Sequence, residues 1–372
     1  MSGWPRIDYG HTAHEIAVAQ GDVYGIRPDE KRAAKRPLKV AIAGCGGVAQ
    51  AKWLPAIRYL QTRSEPVSIM GLIDPDQATR NKVSALYGAP AYASLDELLS
   101  QEKPDLVLVL TPDEAHTPTA RAAISAGVSA LVEKPLSRSL NEARALCAFA
   151  EERGTMLASV ANKRFSPPYA VAHALVEGGR LKSPPTVFSG KFTLGYPYVD
   201  ILEAGTIHLL DLALWFMGPA TRVHAVGRLA PNRKVESAVT SIAFASGAIG
   251  SIVTSAAAMS FKPWERVEII GKNAMLVVED QFELTFYDEE TGPAKSWRPA
   301  IPNTLMFDES FGGYSGLLDN VLDAIRGLAP LNASGRDGAA ALALVDAIHR
   351  SVSSGAPVDV QADLPQERVV TP

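Results

Sequence analysis

The sequence feature that most constrains the fold is the stretch from Leu38 to Ala49, where a short apolar run leads into a glycine-rich turn. The run Leu38–Ala43 is bounded by proline and glycine, which is typical of a buried strand in a parallel sheet. The turn matches the pattern G-x-G-x-x-G/A. Gly44 permits a tight turn, Gly46 lets the backbone approach a pyrophosphate, and a small final residue lets a helix pack on the strand. This stretch predicts a strand–turn–helix unit that binds a dinucleotide.

The residues that follow the turn extend this prediction. Gly47 and Val48 are further predicted cofactor contacts, because the helix that follows the turn is expected to point its free N–H groups and its positive dipole end at the phosphates. A second apolar strand, Val67–Ile73, ends at Asp74, at a distance from the turn that suits a carboxylate on the ribose hydroxyls. No lysine or arginine adjoins Asp74, which favours NAD, while Arg80 one helical turn further on leaves NADP possible.

Strands alternate with helical patterns up to residue 160. Further apolar strands are predicted at Asp105–Leu110, Val128–Val132 and Met156–Val160. This alternation predicts an α/β fold with a doubly wound parallel sheet, in which ligands gather at the carboxyl ends of the strands. The predicted cofactor contacts at or beside such ends are Gly44, Asp74, Thr111, Pro112, His116, Glu133 and Lys134. For His116, the alternatives are a contact with substrate and simple packing near the nicotinamide-side loop.

The C-terminal half has longer segments that alternate polar and apolar residues, which predicts a large open sheet, mainly antiparallel. The predicted strands are Thr186–Thr193, Arg222–Val226, Ser237–Phe244, Ala248–Ser255, Arg266–Gly271, Ala274–Glu279 and Phe282–Tyr287. One helix is predicted at Thr206–Phe216 and two more near the end of the chain. The predicted organisation is an N-terminal arm (1–36), a Rossmann domain (37–160), a second domain (161–360) whose last helices pack back toward the first, and a tail (361–372).

Composition limits the function classes. The net charge is only −4, so neither nucleic acid nor a membrane surface is an expected partner. No apolar run reaches the length of a membrane span, and no signal peptide is recognisable. The two cysteines, Cys45 and Cys147, have no metal-ligand spacing, and no other cluster predicts a metal site. A reducing cytoplasm is the expected location. The arm is either a solvated, partly ordered segment or an element that packs on a neighbouring subunit.

Several motifs together resemble one known family. They are Gly44–Ala49, Thr111–Pro112 with His116, Glu133–Pro135, Asn162–Phe165, Ile207–Asp211, and Asp323–Ile325 with Gly335–Gly338. They are similar to the glucose-fructose oxidoreductase / inositol dehydrogenase (Gfo/Idh/MocA) family over residues 38–360. The resemblance implies a Rossmann domain, a C-terminal α/β domain, sheet-mediated homodimers or homotetramers, and a nicotinamide cofactor. It also implies a carbohydrate, polyol or sugar-derived substrate and a cis bond between Lys134 and Pro135.

Oxidation of a secondary alcohol needs a hydride acceptor and a base for the hydroxyl proton. Lys134, expected beside the nicotinamide, is the principal candidate for the base, because partial burial helps a lysine lose its proton. As a cation it would instead orient the substrate oxygen. His208 lies on the helix that faces the substrate in the family pattern, and an imidazole suits proton exchange near neutral pH. A packing role for this histidine is the alternative.

The sequence departs from the family pattern beside the histidine. The usual aspartate four residues before it is replaced by Ala204, and Thr206 replaces the usual small glycine. Glu203 is adjacent, but on an α-helix its direction differs by about a quarter turn or more. Either the lysine and histidine suffice, or Glu203 or Asp200 substitutes from a locally altered backbone, or the chemistry has changed.

The remaining predicted substrate contacts are weaker and have structural alternatives. They are Asn162, Arg164, Lys191, Glu203 and Asp211. The first functional hypothesis is an NAD(P)-dependent dehydrogenase. A second is an enzyme that uses tightly bound NAD without net oxidation, for elimination, epimerisation or glycoside cleavage. A third is a cofactor-binding sensor or an inactive partner subunit.

Overall fold

The computed structural model describes residues 35–196, 199–258, 263–288, 292–298 and 312–361 of the 372-residue chain. Except for residues 35, 36 and 361, the predicted arm and tail lie outside these ranges. Within the described residues the chain forms two compact units. The first contains residues 35–137, 145–171 and 312–334, and the second contains residues 138–144, 172–298 and 335–361.

The first unit is built on a six-stranded parallel sheet. Its strands are β1 (Leu38–Ala43), β2 (Val67–Ile73), β3 (Ala91–Tyr92), β4 (Leu106–Val109), β5 (Ser129–Val132) and β6 (Leu157–Ser159). The strand order is β3-β2-β1-β4-β5-β6. Strands β2 and β3 are added on one side of β1 and strands β4 to β6 on its other side, so the order reverses at the boundary between β1 and β4. Ligands bind at such a switch point in doubly wound sheets. The predicted parallel sheet is confirmed.

Nine α-helices lie within the described ranges, and none of them is long and apolar enough to cross a membrane. They are α1 (Leu54–Thr62), α2 (Gln77–Tyr87), α3 (Leu95–Gln101), α4 (Asp113–Ser125), α5 (Leu140–Glu152), α6 (Pro167–Glu177), α7 (Ile207–Met217), α8 (Tyr314–Ile325) and α9 (Gly335–Ser354). A π-type turn precedes α1 at Ala49–Trp53, and another precedes α7 at Leu202–Thr206. A 3-10 turn spans Asn162–Phe165. We call the two π-type segments wide turns, since each adds one residue to a helical turn.

The core of the first unit joins the sheet to helices from distant parts of the chain. Val40 and Ile42 of β1 are fully buried, and α8 adds Leu317, Leu318 and Val321 to the same core. Of the two closing helices, α8 therefore belongs to the first unit, while α9 belongs to the second.

A buried ion-pair network holds α8 in the first unit. The Arg326 guanidinium lies 2.6 Å from Glu65 and 3.1 Å from Asp323, and the Lys35 ammonium lies 2.6 Å from Asp323. Carboxylate oxygens of Glu65, Asp319 and Asp323 lie within 4.8 Å of one another, a spacing that a metal ion would also fit. The lysine and arginine supply positive charge there, so we interpret the cluster as structural. Removing one partner of such a buried pair costs about 3–5 kcal/mol.

The second unit contains a nine-stranded sheet that is antiparallel except for one pair. Its strands are β7 (Val187–Thr193), β8 (Ala220–Leu229), β9 (Val235–Phe244), β10 (Ile249–Ser255), β11 (Trp264–Ile270), β12 (Ala274–Glu279), β13 (Glu283–Asp288), β14 (Gly292–Trp297) and β15 (Val358–Asp359). Their order is β14-β13-β12-β11-β7-β10-β9-β8-β15, and only β7 and β10 are parallel. The predicted large, mainly antiparallel sheet is confirmed.

The two faces of this sheet differ. Helix α7 packs on one face, where a side chain added at Gly190 of β7 would meet Leu209. The opposite face presents Val226, Val239 and Val253, which are 72%, 56% and 44% exposed. These three valines face one another across β8, β9 and β10.

Candidate functional site: a dinucleotide-binding edge and a histidine helix

The glycine turn after β1 has the shape that a dinucleotide requires. Gly44 has a φ of +96°, in the left-handed region that favours glycine, and its Cα lies against the backbone at the end of β4. A Cβ added at Gly46 or Gly47 would meet no atom of the described structure within 4 Å. The turn is therefore closed on the sheet side and open above Gly46 and Gly47, which leaves space for phosphate groups. Val48 begins the first helical turn beyond it.

Asp74 at the end of β2 is fixed beside this turn by backbone hydrogen bonds. The Cys45 N–H donates to Asp74 Oδ2 at 2.9 Å, and the Asp76 N–H donates to Asp74 Oδ1 at 2.9 Å. Its carboxylate is thus held rigidly, with lone pairs remaining for ribose hydroxyls. Burial, and next the negative charge of Asp74, raise the pKa of the Cys45 thiol to about 12. The thiol therefore stays protonated at neutral pH and serves packing, not redox chemistry.

Replacing Asp74 with alanine is expected to weaken NAD binding by about 10- to 100-fold, the loss of one or two charge-assisted hydrogen bonds. The preference for NAD over NADP should shrink as well, because the carboxylate repels a 2′-phosphate, and Arg80 lies close by, bonded to the carbonyl oxygens of Asp74 and Pro75. Calorimetric titration with both cofactors measures each effect. Asp76→Ala is the matched control, since the Asp76 side chain only caps α2 through the Thr79 N–H. Equal NAD affinity in both variants would contradict the role of Asp74.

The ends of β4 and β5 complete this edge of the sheet. The Thr111 hydroxyl is buried, and within the described ranges no group hydrogen-bonds to it, so a bound ligand would give it a partner. The next residue, Pro112, is the N-cap of α4. His116 is buried, with its ring nitrogens 3.0 Å from the Thr111 carbonyl oxygen and 2.8 Å from that of Pro135. It therefore braces the ends of β4 and β5 against each other.

Lys134 is held at this edge through its neighbours. The buried Glu133 carboxylate accepts a hydrogen bond from the Lys134 N–H at 3.0 Å and another from the Trp53 indole at 2.9 Å. The bond between Lys134 and Pro135 is cis, as the resemblance implies. The lysine side chain is half-buried. Sequence reasoning missed Trp53, which lies 80 residues from Glu133 and carries no local signal of this contact.

Two predicted substrate residues have structural partners in the first unit. The Asn162 side-chain amide donates to the Gly312 carbonyl oxygen at 2.6 Å, and Arg164 donates to the Asn332 carbonyl oxygen at 2.8 Å. Both side chains are buried. They fix residues 312 and 332 on either side of α8. Asn162 Oδ1 is buried with no hydrogen-bond partner among the described residues, so it is the atom of this pair that remains for a ligand.

In the second unit, the predicted site residues lie around the start of α7. Glu203 and His208 are half-buried, while Asp211, one turn later, is 5% exposed. Lys191 is exposed on β7. Its neighbour Phe192 points to the α7 face, and side chains alternate along a strand, so Lys191 lies on the opposite face of the sheet. The pleat therefore turns Lys191 away from the histidine helix, and a contact of Lys191 with substrate stays a prediction.

Beside this helix lies a carboxylate–imidazole pair that sequence reasoning missed. His349 Nε2 of α9 lies 3.1 Å from Asp200 Oδ2, and Asp200 also accepts from the Leu202 and Val235 N–H groups. Burial alone would raise the pKa of Asp200, but the hydrogen bonds from His349, Val235 and Leu202, together with the charge of His349, outweigh it and hold that pKa below its usual value. Burial alone would lower the pKa of His349, but Asp200 raises it, helped by the charge of Glu203. The pair spans 149 residues of sequence, so spacing could not reveal it.

The fold and the sheet edge define a dinucleotide-binding protein, whose class the family models extend to an oxidoreductase. Two models of one family match the chain, "Oxidoreductase family, NAD-binding Rossmann fold" over residues 38–161 and "Oxidoreductase family, C-terminal alpha/beta domain" over residues 201–360. The chain belongs to this Gfo/Idh/MocA family. The open turn and the buried Thr111 hydroxyl fit the NAD that the family's Rossmann domain binds.

Two relatives and one solved structure show the range of this similarity. The chain is 27% identical over 342 residues to D-apiose dehydrogenase of Paraburkholderia graminis, covering 87% of this chain and 90% of the relative. It is 23% identical over 300 residues to inositol 2-dehydrogenase of Rhizobium meliloti, covering 77% and 89%. A solved structure of levoglucosan dehydrogenase in complex with NADH and levoglucosan matches with a TM-score of 0.79 and 19% identity, covering 89% of this chain and all of that one. The last likeness supports the fold alone.

Proposed function

We propose that this protein is an NAD-dependent dehydrogenase that oxidises a secondary alcohol of a sugar, a polyol or a sugar derivative. The observation that carries the proposal is the order of groups along the sheet edge. Asp74, the glycine turn, Thr111 and Lys134 follow the ends of β2, β1, β4 and β5, which are neighbours in that order. Three strand spacings cover roughly 14 Å. An extended dinucleotide fits this order, with its adenosine ribose at Asp74 and its nicotinamide toward Lys134.

In this proposal the bound NAD supplies the hydride acceptor. The chain's own groups handle the proton. Lys134 is the principal acid/base group at the alcohol oxygen, held by the Glu133 carboxylate through the lysine's backbone N–H. His208 of the second unit is the second proton-exchanging group. The substrate class is supported by the relatives named above, which act on an apiose sugar and on inositol.

The test is a substrate panel with NAD and NADP run in parallel. Calorimetry first establishes cofactor binding, and reduced-nicotinamide absorbance is then followed with D-apiose, inositol, levoglucosan and sugar acids. Turnover with one of them and with NAD is the expected result. If the protein binds NAD yet forms no NADH with any substrate, the dehydrogenase proposal fails. Substrate conversion without net NADH would then favour the non-net-redox alternative.

We also propose a homo-oligomer formed through the exposed face of the nine-stranded sheet. Val226, Val239 and Val253 form an apolar row across three strands, and exposed apolar patches of this kind mark association surfaces. A second copy is the proposed occupant, because the apolar row lies on a large sheet face away from the helix side. This face would then be buried in a dimer.

Light scattering after size exclusion tests the proposal. Val239→Glu is expected to give monomers, since it places a charge in the centre of the row. Leu86→Glu is the matched control, because Leu86 of α2 is 70% exposed and lies in the other unit. An unchanged mass for Val239→Glu, or a monomeric wild type, would remove this surface from consideration.

We propose a cytoplasmic location, and the state of the two cysteines supports it. Cys45 and Cys147 are both free and buried. Thiols kept unpaired are typical of reducing compartments. Fractionation of cells that express the protein is the measurement, and recovery outside the cytoplasm would contradict the proposal.

A further inference from the structure

The wide turn before α7 changes the spacing of the residues that precede His208. The Ile207 N–H donates to the Leu202 carbonyl oxygen, five residues back, where an α-helix would use a carbonyl four residues back. The Thr206 hydroxyl donates to the Ile201 carbonyl oxygen at 3.0 Å and lies 2.6 Å from the Thr254 hydroxyl of β10. These bonds stabilise the widened turn in the interior of the unit.

The position of this turn is determined by the packing on both of its sides. A Cβ added at Gly205 would lie 2.0 Å from the Phe192 ring, so only glycine fits where the turn crosses β7. Asp200 fixes the start, because its Oδ1 accepts the Leu202 N–H at 3.0 Å. With both positions held, the extra residue is accommodated between Leu202 and Ile207 as one wide turn.

The widening changes which residue lies one helical turn before His208. In a regular α-helix that residue would be Ala204, four positions earlier. Across an i-to-i+5 turn it is Glu203, five positions earlier. Glu203, Ala204 and His208 are half-buried while residues 205–207 and 209–213 are buried. Burial thus places His208 and both candidate positions on the partly exposed side of the segment, and the wide turn selects position 203.

We propose that the wide turn places the Glu203 carboxylate in register with His208, and that Glu203 is the positioning residue for that imidazole. The inference rests on the proposed dehydrogenase function. A carboxylate that accepts a hydrogen bond from one ring N–H fixes the tautomer and orientation of a histidine, and it favours the protonated ring. The other ring nitrogen then remains for the substrate hydroxyl. The acid that the sequence pattern lacks at position 204 is thereby supplied from position 203.

The neighbouring charges support this division of roles. Asp200 is already bonded to Leu202, Val235 and His349, so it serves to hold the segment. The groups that raise the pKa of His349 are Asp200, Glu203 and Asp346. The carboxylate of Glu203 therefore lies close enough to α9 for His349 to offset part of its charge.

The test compares Glu203→Gln with the wild type by NMR titration of ¹³C-labelled histidines, with NAD present and without it. The His208 resonance is assigned by its absence in His208→Gln. In Glu203→Gln the His208 titration midpoint is expected to fall, because the carboxylate that favours the charged ring is removed. Glu177→Gln is the matched control, since Glu177 is exposed and pairs with His173. An unchanged His208 midpoint in Glu203→Gln would overturn the proposal, whether or not any panel substrate is turned over.

The register between position 203 and His208 is tested by moving the carboxylate from position 203 to position 204. With the panel substrate that the wild type oxidises, Glu203→Gln is expected to lower kcat by about 10- to 100-fold with little change in NAD affinity. Glu203→Asp should recover part of this loss. The double variant Glu203→Ala, Ala204→Asp should not recover it, because position 204 is out of register across the wide turn. Full recovery by the double variant would show an ordinary α-helical register and would refute the assignment.

Discussion

Replacing Lys134 with alanine is expected to lower kcat by about 10²- to 10⁴-fold, the contribution typical of a positioned acid/base group. NAD affinity should fall much less than kcat, because the glycine turn and Asp74, which hold the rest of the cofactor, lie at other strand ends. The backbone at position 134 is held by Glu133, whose carboxylate also bonds Trp53, so the substitution should not unfold the edge. Steady-state kinetics with the panel substrate and calorimetry with NAD measure the two effects.

Two further variants separate the possible roles of the lysine. Lys134→Arg keeps the charge but cannot lose a proton, so a base would be lost while an oxygen-orienting cation would be partly retained. Arg138→Ala removes an exposed cation four residues later and should leave kcat unchanged. Full turnover by Lys134→Ala would refute the catalytic assignment.

Replacing Gly44 with alanine is expected to cost roughly 3 kcal/mol or more of unfolding free energy and to abolish measurable NAD binding. The φ of +96° is unfavourable for any residue with a Cβ, and the added atom would lie 2.5 Å from the Leu110 carbonyl oxygen and 2.8 Å from the Thr111 nitrogen. These are backbone atoms, so they cannot rotate away. The ends of β1 and β4 would have to separate, which moves both the phosphate turn and Thr111.

Gly46→Ala gives the matched comparison for this prediction. Its Cβ would meet nothing within 4 Å among the described atoms, so the melting temperature should be nearly that of the wild type. NAD affinity should still fall, since the methyl group occupies the space that the pyrophosphate needs. Denaturant unfolding and calorimetry distinguish the two outcomes. Wild-type stability in Gly44→Ala would show that the turn tolerates a different backbone conformation.

The cofactor half of the site could be predicted from the sequence because its signals are local. These signals are a buried strand, a glycine turn and an acid after the next strand. Each of them reflects a conformational requirement of one short segment and does not depend on distant residues. The strands β1, β2, β4, β5 and β6 were predicted with small differences at their ends, and so were most strands of the second sheet. Edge strands such as β3 and β15, with two residues each, have no pattern long enough to recognise.

The substrate half was harder to predict because its geometry depends on contacts between distant residues. Ala204 is interpreted as a missing acid only if the helix is regular, and nothing in the local sequence announces the wide turn. Its position is fixed by the fit of Gly205 against Phe192 and by the bond between Asp200 and the Leu202 N–H, which are contacts that local periodicity does not show. The absence of an aspartate at position 204 was also the reason for considering non-redox chemistry, and the wide turn weakens that reason.

The return of α8 to the first unit has a consequence for how the protein is made. Glu65 leaves the ribosome early, but its partner Arg326 follows roughly 260 residues later, a delay of roughly 13–50 s at ordinary translation rates. Until then the carboxylate and the apolar surface that α8 covers lack their partners. In the second unit, the surface that α9 covers likewise lacks its partner until α9 has been synthesised. Neither unit can complete its core during most of translation, so the nascent chain is a natural client for chaperones that shield unfinished domains.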